Sequence, residues 1–311
     1  MTDTPSIAFT VAPLQYWWPR QQLLQAYAEL ADSPAQTVVL GEVTCSRRNE
    51  FSLADWLDLG RDLQACGKTV RLATLPLLMS EAELRTMRRI AEQREFEVEA
   101  GDAAALQAWS RQPAAERPPL VLGPHLNIYS AGALQEHLRE PGITGWAPPL
   151  ELSLDAIARI NPPGGSSPLP TEVFGFGRMP LAFSARCFTA RHHRLSKDQC
   201  EFRCRDDGDG LLLSTVEGQP FLALNGIAIQ SAALHCLIGE GAALRAAGVA
   251  RLRLSPCSRG FAEVLQQFDA VLNQGACAAT AQERLAALRL PGALVRGFAR
   301  RRPGMEALSH A

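Results

Sequence analysis

Three cysteines in one short stretch carry the most legible chemistry in the chain. Cys187, Cys200 and Cys204 fall in Ser184–Cys204, with twelve residues between the first pair and three between the second. At i and i+4, Cys200 and Cys204 share one face of a helical turn, and Cys187 can fold back across a loop to meet them. A fourth thiol would complete a metal site. Cys45 is the leading candidate because it ends the strand-like run VVLGEVTC, and Cys257, after RLRLSPC, is the reserve. Four thiolates hold a [4Fe–4S] cluster or a zinc ion. The spacing is neither a C-x2-C zinc knuckle nor a ferredoxin run, so both remain open, as does a loop with incidental thiols. Arg186, Arg191, Arg194, Lys197, Arg203 and Arg205 crowd the segment and would offset an anionic site of either kind.

The remaining candidates are quieter. Cys66, Cys236 and Cys277 sit in helix-like apolar stretches and read as buried packing. His192 and His193 lie inside the Cys/Arg segment and read as exposed loop residues. His125 and Asn127 follow the fifth strand-like run and Glu42 ends the second, so each lines a pocket or caps a loop. The familiar templates fail. Gly175-Phe-Gly177 lacks the third glycine of a dinucleotide fingerprint, and no G-x-S-x-G elbow occurs. Asp206-Asp-Gly-Asp-Gly210 does not fit a calcium loop and reads as a turn.

The elements that must position these residues alternate between short apolar runs and helical periodicity. Strands are expected at Ile7–Val11, Val38–Glu42, Thr69–Ala73, Phe96–Glu99, Leu120–Leu122, Ile143–Trp146, Thr171–Phe176 and Ala250–Leu254. Ser52 and Ser80 are expected helix caps, and Gly67 a helix stop. Eight strand–helix units imply an α/β fold, a (β/α)8 TIM-like barrel, regular or distorted, with a doubly wound open sheet as the alternative. Asn161–Pro170 (NPPGGSSPLP) reads as a loop. An insertion over about 178–247 follows the seventh strand. It carries the three cysteines, a hairpin of Leu211–Val216 and Phe221–Leu224, and a helix at Ala232–Ala247. Residues 1–299 are expected to form one domain and 300–311 a frayed tail.

Composition narrows the function. The chain has 311 residues, 47% of them hydrophobic, and a formal net charge of -1. That is enough to bury a core and excludes a nucleic-acid binder that relies on net positive charge. No run of 18 apolar residues suggests a membrane span, and the N-terminus lacks the pattern of a secretory signal, so a cytoplasmic protein without disulfides is expected.

The stretch TEVFGFGRMPLAFSARCFTARHHRLSKDQCEFRC, Thr171–Cys204, resembles the signature region of the peptidase U32 family, a Glu-x-Phe-x-x-Gly strand followed by a cysteine cluster. Here the strand residues are Glu172, Phe174 and Gly177, and the strand pattern from Ser6 to Cys257 fits a family barrel. Many members have a further cysteine shortly after that strand, where Pro180 stands here. That departure, the short chain and Cys45 in GEVTCSRR make it similar to the short members acting in oxygen-independent ubiquinone biosynthesis. The resemblance implies a [4Fe–4S] cluster on Cys45, Cys187, Cys200 and Cys204, and a heterodimer with UbiU, a second cluster-carrying member. It also implies the lipid carrier UbiT as an accessory, and a ubiquinone precursor and prephenate as small molecules. The expected role is a subunit of a ring hydroxylase rather than a peptidase. RNA-modifying members, a hydrolase and a structural zinc module are the alternatives.

Overall fold

The computed structural model describes residues 5–165 and 168–306. Ser166 and Ser167 of the expected loop, and residues 307–311 of the expected tail, lie outside the described residues. The first seven strands are β1 (Ala8–Val11), β2 (Thr37–Leu40), β3 (Thr69–Ala73), β4 (Glu97–Ala100), β5 (Leu120–Leu122), β6 (Ile143–Trp146) and β7 (Thr171–Phe183). Then come β8 (Leu211–Ser214), β9 (Pro220–Asn225), β10 (Ala228–Cys236), β11 (Val249–Leu254) and β12 (Leu294–Val295). β1 to β7 pair in parallel, each with the next, and β11 pairs with both β7 and β1. That double pairing closes an eight-stranded parallel barrel, a TIM-barrel fold, and excludes the open sheet.

Local signals set the helices around it. Ser52 caps the helix Leu53–Ala65 and forms a reciprocal capping box with Asp55. Ser80 caps Glu81–Glu92, and Gly67 takes the left-handed conformation expected after the first of these helices. Side chains alternate across each barrel strand. Phe9, Val70, Leu72, Val98, Leu252 and Leu254 are buried with the core cluster that the helices cover, each such side chain contributing about 1.5–3 kcal/mol.

The other face of these strands is ionic. Arg71 pairs with Glu97 at 2.8 Å and with Glu99 and Glu172 at 3.2 Å. Arg253 pairs with Glu172 at 2.6 Å and also with Glu99, while the Thr10 hydroxyl donates to Glu172. Two arginines and three glutamates from four strands thus fill the barrel where branched apolar residues are usual. Their paired cations hold Glu99 below the usual carboxylate range despite burial, and Glu172 down to about 2.

The insertion grows from β7. At 13 residues, β7 outruns the barrel, and its far half pairs antiparallel with β10, which pairs with β9, which pairs with β8. The expected hairpin is therefore β8–β9. The expected helix over Ala232–Ala247 is not observed: its first part is strand β10 and only Gly241–Ala246 is helical. The long edge of β7 supplies the pairing that turns this short apolar run into a strand.

Gly177 shows why the Glu-x-Phe-x-x-Gly strand needs its last residue. Its φ is +121°, and a Cβ there would lie 2.6 Å from the Ser255 Cβ. Gly177→Ala is expected to cost about 1–3 kcal/mol, read as a lower midpoint in urea unfolding.

Arg300 and Arg301, in the described part of the expected tail, make ion pairs with the body of the chain. Arg296 and Arg300 both pair with Glu240, whose side chain is 1% exposed, and Arg301 pairs with Asp155 at 2.7 Å. A buried carboxylate needs these partners. Among the described residues, no helix is long and apolar enough to cross a membrane.

Candidate metal centre

Three chain segments bring Cys45, Cys187, and Cys200 with Cys204 to one cavity, whose wall also includes Trp17, Arg47, Arg48 and Phe202. Cys45 stands on the loop after β2. Glu42 shapes that loop, because its Oε1 accepts the backbone N–H groups of Thr44 at 2.7 Å and Cys45 at 2.9 Å. Cys187 is the N-cap of the short helix Phe188–His192, and its Sγ accepts the N–H of Ala190 at 3.4 Å. Gly226, in the turn between β9 and β10, holds that helix: its N–H donates to Thr189 Oγ1, and its carbonyl accepts from the N–H of Phe188.

Cys200 and Cys204 do not share a regular α-helical turn as expected. Glu201 and Phe202 are left-handed, and Cys204 sits in the 3-10 turn Arg203–Arg205. The left-handed pair redirects the chain between the two thiols. It also places the Phe202 ring against Trp17, edge to face at 4.9 Å, and under the Arg47 guanidinium at 5.5 Å. Arg47 donates to the carbonyls of Lys197 and Asp198, which ties the Cys45 loop to the insertion.

The four thiols lie within electrostatic reach of one another. Cys45 is influenced by Cys204, Cys187 by Cys45 and Cys200, and Cys204 by Cys187 and Cys200. Burial pushes the thiols of Cys45, Cys187 and Cys204 up, and the Arg48 guanidinium works against that at Cys45 and Cys204. Among the described residues, no three or more His, Cys, Asp or Glu side chains converge tightly enough for one metal ion. Tetrahedral zinc would need sulfurs about 3.8 Å apart, given bonds of about 2.3 Å.

Residues 20–290 match Peptidase family U32. The chain belongs to this family. Among solved structures, it is similar to the phospho-2-dehydro-3-deoxyheptonate aldolase of Thermotoga maritima, at 11% identity, with 86% of this chain and 70% of that one covered and a TM-score of 0.47. It is also similar to the spore cortex-lytic enzyme SleL of Bacillus megaterium QM B1551, at 8% identity, with 86% and 75% covered and a TM-score of 0.43.

In this U32 chain the other expected residues fall elsewhere. Cys257 is buried in a different cavity, beside Leu14, Trp18 and Tyr27, and its thiol donates to the Arg259 carbonyl. Cys236 is buried, but on β10 rather than a helix. Cys66 and Cys277 are exposed caps at helix ends, not packing residues. His192 is exposed as expected, but His193 is half-buried, and its Nε2 has no partner. Asn127 caps a 3-10 turn in a left-handed conformation, and His125 lines the barrel mouth above Glu99 and Arg253, where burial lowers its pKa to about 4.

Sequence reasoning missed Arg48, Gln15 and Asn225, which back the cavity. Arg48 donates to the Gln15 carbonyl and to Asn225 Oδ1, each at 2.6 Å. Its signal was the doubled arginine two residues after Cys45, in CSRR.

Proposed function

We propose that this chain is a UbiV-like U32 protein, the subunit that carries a [4Fe–4S] cluster for oxygen-independent ring hydroxylation in ubiquinone biosynthesis. It works as a heterodimer with UbiU and alongside the lipid carrier UbiT. The observation that carries the reading is the meeting of Cys45 with the distant cluster Cys187, Cys200 and Cys204 around one cavity with a buried cation. Among the described residues no three of these side chains converge tightly enough for one metal ion, and a polynuclear group, in which each thiolate serves a different iron, does not require that convergence as a single zinc ion does.

Cys45, Cys187, Cys200 and Cys204 hold the cluster in this reading. When bound, the cluster supplies one-electron chemistry. The chain's own residues do the rest. Trp17 and Phe202 exclude water from one side of the cavity, and Glu42 and Gly226 fix the segments that carry Cys45 and Cys187. A ubiquinone precursor and prephenate are the expected small molecules. A peptidase reading has no support from a nucleophile–base pair at these residues.

The test is purification without oxygen, followed by iron, sulfide and zinc analysis and a visible spectrum. About four irons per chain, with matching sulfide, are expected. Prolonged air exposure should bleach the spectrum, and UbiU should co-purify. Stoichiometric zinc without iron would overturn the reading.

A further inference from the structure

We propose that Arg48 is the fixed counter-charge of the four-cysteine cavity, a positioning residue that holds the potential of the group bound there above the value the thiolates alone would set. This rests on the reading that the four cysteines ligate a cluster.

Arg48 is 5% exposed, and among the described residues it has no carboxylate partner within ion-pairing distance. Its Nη1 donates to the Gln15 carbonyl and its Nη2 to Asn225 Oδ1, both neutral acceptors, and its Nε is buried with no partner at all. Glu42 is near enough to be influenced by its charge but not to pair with it. A buried guanidinium left in this state is costly, and the cost is offset only by a nearby anion. The groups it faces are the thiols: it lines the same cavity as Cys45, Cys187, Cys200 and Cys204, and its charge acts on Cys45 and Cys204. Four thiolates around a [4Fe–4S] core make that anion.

The other cations at the cavity are differently placed. Arg47, Lys197 and Arg203 border it but are only half-buried, so water screens them. Arg205 is paired with Glu50 and stacks on Trp17 at 4.2 Å. The fold, by contrast, is built around Arg48. Gly226 has φ +65°, and a Cβ there would come within 3.0 Å of Arg48 Nη2. Asn225 Nδ2 and Thr44 Oγ1 donate to the same Gln15 carbonyl that Arg48 uses, which locks the guanidinium in place. A preorganised charge in a dry site acts on a redox group more strongly than a mobile surface charge.

The test compares wild type, Arg48→Lys, Arg48→Gln and Asn225→Asp, all prepared without oxygen. Iron and sulfide are measured, and the midpoint potential is followed by an EPR-monitored redox titration. Asn225→Asp places a carboxylate on Nη2 and cancels the cation without removing it. Arg48→Lys should load and titrate near wild type. Arg48→Gln and Asn225→Asp should load with more negative potentials. Failure of Arg48→Gln to load, with Arg48→Lys intact, would also support the proposal. Unchanged potentials in both Arg48→Gln and Asn225→Asp would overturn it, as would equal losses in Arg48→Lys and Arg48→Gln. A wild-type protein without iron would overturn the cluster reading itself, and this inference with it.

Discussion

Cys204→Ala is expected to abolish iron and sulfide binding, while Cys66→Ala and Cys277→Ala leave both unchanged. Cys204 lies on the cavity wall beside Cys45, Cys187 and Cys200, and the other two cysteines are exposed helix caps that do not line it. In the proposed cluster reading, losing one of four thiolates leaves an iron corner without a protein ligand, and bound metal is strongly coupled to its full ligand set. Cys257→Ser is a second control. Its side chain faces another cavity, so iron content should stay at the wild-type level. The measurement is iron and sulfide per chain after anaerobic reconstitution. Full loading of Cys204→Ala would remove this residue from the ligand set.

Glu172→Ala should be the most destabilising single change in the barrel. Glu172 is 3% exposed and is the shared acceptor of Arg71, Arg253 and the Thr10 hydroxyl. Its removal takes a charged partner from two buried guanidinium groups at once, and breaking a buried pair costs about 3–5 kcal/mol and lowers the melting temperature by on the order of 10 °C. Glu172→Gln, which keeps an acceptor, should cost less. The same network sets an acid limit. The folded-state pKa of Glu172 is depressed to about 2, so its contribution is fully present above the unfolded value near 4.5. It is lost as pH falls from there through about 2, because the unfolded chain takes up the proton first. Wild-type stability measured between pH 6 and pH 3 should fall, and more steeply than that of Glu172→Gln. Parallel profiles would rule the network out as the cause.

The barrel was legible because its signals are local. Alternating strand and helix periodicity, serine caps and Gly67 place the eight units within a few residues of where they form. The four cysteines were legible from residue type together with the family resemblance. What escaped depended on pairing at long range. The run from Ala232 is apolar enough for a helix, and its pairing with distant strands, β7 and β12, makes it a strand. Cys66 and Cys277 look buried by neighbourhood, yet helix ends face water whatever their flanks. The ionic barrel interior was visible as charges at alternate strand positions, in TVRLA, EVEA and RLRL, but strand charges ordinarily mark a solvated face. Arg48 gave no sign beyond an ordinary basic pair, because burial of one arginine and not its neighbour is decided by Gln15 and Asn225.

The order of the cysteines along the chain also sets a timetable for biogenesis. Cys45 leaves the ribosome about 140 residues ahead of Cys187, which at 5–20 residues per second is a delay on the order of 10 s. Throughout that interval its thiol has none of its three companions, and the hairpin that carries Arg48's partner Asn225 is made later still. In the cluster reading, iron–sulfur delivery therefore meets a chain whose barrel strands up to β7 already exist. Supply of the cofactor then acts on a late step of maturation and not on the first.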